Sequence, residues 1–222
     1  MKPVGTVVAL GAAPTRAAVQ LDERALASRV LPFGEDLFAR IKRADAGSLL
    51  LLLVEDADDP ALAAAAKAAS ILRRRGGGYP ILVLPAIPVL PGPQARGRLE
   101  RAAGLIGACV VQPVGGASWN DAVRCFVEPL AIFGLIGVDR RELHGVLRPP
   151  RSALLHLWED KSLEVSMRDA RDVLVSCRLR PSATLREVEA AALRVKSATK
   201  ARLVLAGPEV DDGPRAIATA FF

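Results

Sequence analysis

Asp139 and Glu142 stand three residues apart in a stretch that is otherwise mostly glycine, arginine and apolar residues, Gly134 to Leu143. The stretch directly follows a predicted helix, which places the two carboxylates in a loop. Two carboxylates on one loop can hold and polarise a water molecule, as a general base does. The alternative is that a helix ends near Gly134 and a short strand or loop carries solvated charge. The first interpretation makes Asp139 and Glu142 candidate catalytic residues.

A second acidic group follows the apolar run from Leu49 to Val54, which predicts a buried strand. Its members are Glu55, Asp56, Asp58 and Asp59. Open α/β sheets place their sites at the carboxyl ends of parallel strands, and carboxylates suit Mg²⁺, so a metal site is one interpretation. The alternative is a helix start, with Asp59 as N-cap, Pro60 at the first helical position and acidic residues favoured by the helix dipole.

Strand and helix signals alternate through the first half of the chain. Strands are predicted at Val4 to Leu10, Leu49 to Val54, Ile81 to Leu84 and Ala108 to Gln112. Helices are predicted at Gly34 to Arg43, Pro60 to Arg75 and Gln94 to Leu105. Such alternation is typical of a parallel sheet covered by helices, and we expect this sheet to end at the last of these strands.

A longer helix is predicted from Trp119 towards Phe133, with Ser118 as its cap and Pro129 as a kink. We expect it to join the two halves of the chain, with Trp119 packed between them. Strands follow at Ala153 to Trp158, Asp172 to Arg178, Ala201 to Leu205 and Arg215 to Phe221. Helices are predicted at Val165 to Ala170 and at Thr184 to Ser197, where Thr184 and Glu187 form a capping box.

Composition excludes several classes of protein. The net charge is +6, but 24 acidic residues are interspersed among 30 basic ones and only 4% of residues are aromatic, so nucleic acid is not an expected partner. A zinc site is not expected, because the three cysteines are widely separated and only two histidines could join them. The longest apolar run, Leu49 to Val54, is far shorter than the roughly 20 residues of a membrane span. We expect a cytoplasmic protein without membrane insertion.

Three segments resemble the FtsZ/tubulin family. In the loop, Asp139 matches the first Asp of the family's Asn-x-Asp-x-x-Asp pattern, Glu142 stands for the second, and Gly137 replaces the Asn. The segment Thr184 to Ala192 is similar to the family's Thr-Leu-x-Glu-Val-x-x-Ala-Ala helix start. An Asp211-Asp212 turn and a closing strand follow in the family's order.

The resemblance implies an α/β, FtsZ/tubulin-like fold in three parts. Residues 1–117 would form a shortened, Rossmann-like parallel-sheet domain of the nucleotide-binding type. Residues 118–134 would form the connecting helix, and residues 135–222 a smaller α+β domain with a mixed sheet. In the family, the loop that carries Asp139 and Glu142 acts on the GTP of the neighbouring subunit.

The same resemblance implies a degraded nucleotide site. Where the family has a glycine-rich phosphate loop, this chain has Glu55 to Pro60, and Gly11 is the one glycine that its first loop keeps. Asn120 resembles the Asn that contacts guanine. We therefore expect no cofactor, loss of GTP binding and hydrolysis, and a function through a protein partner or self-association. The alternatives are an active GTPase with a rebuilt Mg²⁺-dependent site, or an enzyme that uses this scaffold on a small metabolite.

Overall fold

The computed structural model describes residues 5–10, 28–32, 38–39, 49–55, 59–74, 79–131, 134–180, 182, 184–208 and 215–222. Ten strands in these ranges form one sheet in the order β2-β1-β3-β4-β5-β7-β10-β8-β9-β6. The strands are β1 Gly5–Leu10, β2 Ser28–Pro32, β3 Leu49–Val54, β4 Tyr79–Val83, β5 Cys109–Pro113, β6 Gly134–Ile136, β7 Arg151–Leu157, β8 Asp172–Arg178, β9 Arg202–Pro208 and β10 Arg215–Phe221. The helices with described bounds are α1 Asp59–Arg74, α2 Pro93–Ile106, α3 Trp119–Ala131, α4 Arg140–Leu147, α5 Ser162–Arg168 and α6 Leu185–Ala198.

The first half of the sheet is parallel from β2 to β5, as the alternating pattern predicts. All six residues of β3 are buried. A strand with an unbroken leucine run needs cover on both faces, and helices supply it here. One face packs against α1 and α2, and the other packs against α3.

The sheet does not end at β5, so that expectation is wrong. β5 pairs in parallel with β7, which carries the sheet into the second half of the chain. β10 then lies antiparallel between β7 and β8, β9 is parallel to β8, and β6 pairs antiparallel with β9. The second half is therefore mixed, as predicted, and α5 and α6 cover the face that α1 and α2 cover in the first half.

Helix α3 connects the two halves. Ser118 caps it through a reciprocal pair of bonds, because Asp121 Oδ2 accepts from Ser118 N at 2.9 Å and Ser118 Oγ accepts from Asp121 N at 3.4 Å. The helix contacts β3 in the first half and β8, β9 and β10 in the second. Its Phe126 is fully buried in a core that includes Leu51 and Leu174. The predicted connecting helix is confirmed, whereas the three-part domain division stays a prediction.

Three elements were not predicted from the sequence: β2, β6 and α4. β2 and β6 are short, and β2 ends on a proline, so neither gives a long periodic signal. Of the helix predicted at Gly34 to Arg43, only Phe38 and Ala39 are described, and both are helical. The Asp211-Asp212 turn lies outside the described residues. Within the described ranges, no helix combines the length and apolarity that a membrane crossing requires.

Candidate functional site

Asp139 and Glu142 form a capping box at the start of α4. Asp139 Oδ1 accepts from the backbone N of Glu142 at 2.7 Å, and Glu142 Oε2 accepts from the backbone N of Asp139 at 3.1 Å. These two bonds satisfy amide groups that the first turn of a helix leaves without intrahelical partners. Both residues are exposed. The structure thus places the two carboxylates together, and the capping box explains why they are three residues apart.

The packing of α4 and the pairing of β6 fix the position of this loop. Leu143 and Leu147 of α4 are fully buried on the same face of the sheet as α3. Just before the loop, Gly134 of β6 pairs with Pro208 at the end of β9. A Cβ atom on Gly137 would meet no heavy atom within 4 Å. Packing around a Cβ atom therefore does not force a glycine at that position.

The junction between β3 and α1 is short and acidic. β3 ends at Val54, the half-buried Glu55 follows, and α1 begins at Asp59 with Pro60 already helical. Asp56, Asp58 and Gly11 lie outside the described residues, as does the side chain of Asp59. Among the residues that are described, no three His, Cys, Asp or Glu side chains form a group that could hold a metal ion. The metal site at Glu55, Asp56, Asp58 and Asp59, which is one interpretation of the sequence, stays a prediction.

Asn120 is the second residue of α3 and is half-buried. Its Oδ1 atom is shielded from solvent and accepts no hydrogen bond in the structure. The neighbouring Trp119 is also half-buried, and its Nε1 likewise finds no acceptor. A buried acceptor without a donor costs free energy, so it needs either a ligand or an ordered water.

A polar cluster that the sequence analysis did not find lies beside the turn after β5. His156 is fully buried in β7, and its Nδ1 lies 3.0 Å from Asp160 Oδ2. Ser162 donates to Asp160 through its N at 2.9 Å and its Oγ at 2.9 Å. A Cβ on Gly115, whose φ is +59°, would overlap the Asp160 carboxylate. The close spacing of His156, Asp160 and Ser162 in the sequence is the signal from which this cluster could have been predicted.

This cluster holds the residue types of a nucleophilic triad without its geometry. Ser162 Oγ lies 3.3 Å from the same Nδ1 atom that faces Asp160. In a triad one imidazole nitrogen takes the serine proton while the other donates to the carboxylate, so a histidine that turns one nitrogen to both partners is not placed to act as general base for Ser162. Burial lowers the pKa of His156, although Asp160 opposes the shift. The arrangement stabilises the turn and does not activate a nucleophile.

The cysteines are also unsuited to nucleophilic chemistry. All three are free and buried. Burial raises the pKa of Cys109 and of Cys125 to about 12 and the pKa of Cys177 to about 11. Because the thiolate is the reactive form, none of the three is activated near neutral pH.

No family model and no curated protein matches this sequence. Solved structures do resemble it along its whole length. The FtsZ of M. jannaschii has a TM-score of 0.73 at 15% identity, covering 100% of this chain and 89% of the other. CetZ2 from Haloferax volcanii has a TM-score of 0.59 at 14% identity, covering 100% and 92%. TubZ of Clostridium botulinum phage c-st has a TM-score of 0.55 at 8% identity, covering 99% and 92%.

The chain has an FtsZ/tubulin-like fold. The fold and the resemblance predicted from the sequence are both confirmed, and the low identities agree with a divergent chain. At such identities the likeness concerns the fold alone. What the fold does in this chain depends on the chain's own residues.

Proposed function

We propose that this chain uses an FtsZ/tubulin-like fold for protein contacts and has lost both GTP binding and GTP hydrolysis. The observation that carries the proposal is the junction between β3 and α1. β3 ends at Val54 and α1 begins at Asp59, so Glu55 to Asp58 form the whole connection. Three of these four residues are acidic and none is glycine.

A phosphate seat at such a junction works through bare backbone amides and the positive end of the helix dipole. Side chains at Glu55 to Asp59 hinder close approach to the backbone, and Pro60 has no amide hydrogen to donate. Each acidic side chain also repels phosphate, by about 1 kcal/mol per charge pair at 4 Å even in water. A triphosphate is therefore disfavoured at this junction.

The two carboxylates that the resemblance makes candidate catalytic residues have a structural role in this chain. Asp139 and Glu142 each accept a backbone hydrogen bond within the capping box. The catalytic role that the resemblance implies requires GTP bound to a neighbouring subunit. A second copy of this chain, having lost GTP binding, would not supply it. We infer that the two residues are retained for the start of α4 and for surface charge.

Assembly is the activity that remains. Among the solved structures with this fold are an FtsZ dimer and a CetZ2 protofilament with GTPγS bound, so those proteins associate. In a head-to-tail stack of this chain, Asp139 would face the acidic junction of the next copy, and the like charges would repel. We therefore propose a different protein partner or a symmetric dimer, in place of a filament.

One observation favours an alternative, an active GTPase that rebuilds its site around Mg²⁺ and the acidic junction. Asn120 Oδ1 is a buried acceptor that receives no hydrogen bond. A guanine could donate to it, as the resemblance implies. This acceptor fits a base, but it does not replace the backbone donors that the phosphates need.

Calorimetric titration with GTP and Mg²⁺ tests the proposal, with Haloferax volcanii CetZ2 as the positive control. We expect no saturable heat and no rise in melting temperature. Ligand at a hundred times its dissociation constant would stabilise the fold by about 2.7 kcal/mol, so binding would raise the melting temperature measurably. A clear stabilisation that Asn120→Ala abolishes would establish the alternative instead.

Sedimentation with and without GTP tests the assembly part. We expect small species of fixed size in both conditions. Filaments that form only with GTP would contradict the proposal as a whole. A stable dimer that is indifferent to GTP would support it.

A further inference from the structure

A cleft of about 520 Å³ opens between α6 and the ends of β7, β8 and β10. Asp139, Glu142 and Asn120 do not line it, so it is separate from these candidate catalytic and nucleotide-binding residues. Its volume lies within the range of roughly 300–1,000 Å³ that is usual for small-molecule sites. The fold therefore contains a second place where a ligand could bind.

Small side chains keep this cleft open. Ala190 and Ala191 of α6 line the cleft together with Cys177 and Ala216 of the strands, and Ala190 does so from an exposed position. Leu179 adds an apolar surface at the end of β8. Four small residues at one helix–sheet contact leave the space that larger side chains would fill elsewhere in the core. The floor of the cleft is therefore apolar.

One wall is fixed in position by several contacts. The guanidinium of Arg194 lies 4.7 Å from the centre of the Trp158 ring, and its Nη1 donates to the Trp158 carbonyl oxygen at 2.9 Å. Arg194 also reaches Glu164 at 3.5 Å. An aromatic ring held in this way is preorganised, which lowers the entropic cost of binding a flat group beside it.

The charged side chains that line the cleft differ in how freely they can meet a ligand. Three arginines and two glutamates line it. Arg178 is buried and donates to Glu128, and Arg194 is engaged with Trp158 and Glu164. Arg180 is different, because its side chain is 55% exposed and its partner Glu187 lies 3.9 Å away. Such an exposed pair contributes about 0–1 kcal/mol, so an incoming carboxylate can compete for the guanidinium.

The Glu187 carboxylate does not depend on Arg180 as its only partner. Its Oε2 accepts from the backbone N of Thr184 at 2.8 Å in the capping box of α6. That bond holds the side chain against the helix start. The fork of Arg180 can thus turn from Glu187 towards the cleft without leaving the glutamate unpaired.

We propose that this cleft binds a small organic carboxylate with a flat, apolar body. The body would lie on the alanine floor beside Trp158, and the carboxylate would pair with Arg180. The site would act independently of the loss of GTP binding proposed above. Its ligand class follows from the apolar floor, the aromatic wall and the available guanidinium.

Isothermal titration of the full chain with 2-naphthoate tests the proposal, and 2-naphthamide serves as a matched uncharged probe. We expect saturable binding of 2-naphthoate with a dissociation constant below about 1 mM, and binding of the amide about tenfold weaker. Arg180→Ala should weaken 2-naphthoate about tenfold and leave 2-naphthamide unchanged.

Two further variants separate the cleft from other surfaces. Ala190→Leu places a bulky side chain in the cleft from an exposed helix position that tolerates leucine, so it should abolish binding of both probes without unfolding the protein. Arg186→Ala removes an exposed arginine of the same helix that does not line the cleft, and it should bind normally. The proposal is wrong if the wild-type chain binds neither probe, if both probes bind equally, or if folded Ala190→Leu keeps full affinity.

Discussion

Arg178 Nε donates to Glu128 Oε2 at 2.9 Å, and both residues are almost fully buried, at 5% and 3% exposure. Glu128 belongs to α3 and Arg178 to the end of β8, so this ion pair ties the connecting helix to the second half of the sheet. A buried pair of this kind is costly to desolvate, and its partners depend on each other.

Replacing Glu128 by alanine should destabilise the protein by about 3–5 kcal/mol, because the buried Arg178 loses the carboxylate that accepts from it. Urea denaturation measures the change. The matched control is Asp169→Ala, since Asp169 pairs with Arg96 at 3.1 Å but its side chain is 69% exposed. That control should cost less than about 1 kcal/mol. Equal losses in the two variants would contradict the argument.

A half-buried Trp119 packs against the core that α3 and α4 share with the sheet. Trp119→Ala should therefore cost about 3 kcal/mol, near the lower end of the range for buried aromatic residues. Trp119→Phe should cost clearly less, because it keeps most of the ring and removes an Nε1 that finds no acceptor. Thermal denaturation compares the two. If Trp119→Ala melted like the wild type, the core assignment would be wrong.

The two capping boxes show which helix starts could be predicted from the sequence and which could not. Thr184 with Glu187 was recognised as a helix start, and the structure confirms it. Asp139 with Glu142 has the same spacing, yet it suggested a water-holding loop, because the stretch directly follows the helix predicted from Trp119. Leu143, Val146 and Leu147 were the apolar signal for α4, with the i, i+3, i+4 spacing of one helix face.

Long-range relationships could not be predicted from the sequence. Nothing local in β5 or β7 indicates that Val111 pairs with Ala153, which joins the two halves of the sheet. The cleft beside α6 depends on the absence of bulk at Ala190 and Ala216, two positions that meet only in the fold. Periodicity predicts elements, whereas cavities and strand partners follow from tertiary packing.

The buried His156 should make stability depend on pH. Burial lowers its pKa below the ordinary 6.5, Asp160 partly opposes this, and Arg96 adds to the lowering. The folded protein thus binds the proton less readily than the unfolded chain. The stabilisation is fully present above pH 6.5 and is lost as the pH falls from there towards the folded-state pKa.

Urea midpoints between about pH 8 and about pH 5 would measure this dependence. His156→Gln should flatten the decline, and His144→Gln is the control that should retain it. Asp160 also has a lowered pKa: burial raises it, but the hydrogen bonds from His156 and Ser162 outweigh that effect. Its own contribution is lost only as the pH falls below 3.8. A steep decline that survives His156→Gln would assign the effect to other groups.

The capping role of Asp139 can be separated from a catalytic one by two substitutions. Asp139→Ala removes the acceptor for the Glu142 amide and should cost about 1 kcal/mol, while Asp139→Asn keeps an acceptor and should cost much less. Glu187→Ala removes the acceptor for the Thr184 amide in the other capping box, so it provides a reference and should lose a similar amount. Chemical denaturation measures all three variants. Activation of water needs the charged carboxylate, so if Asp139 were catalytic, Asp139→Asn would be stable but unable to hydrolyse GTP. Full stability of Asp139→Ala would refute the capping assignment.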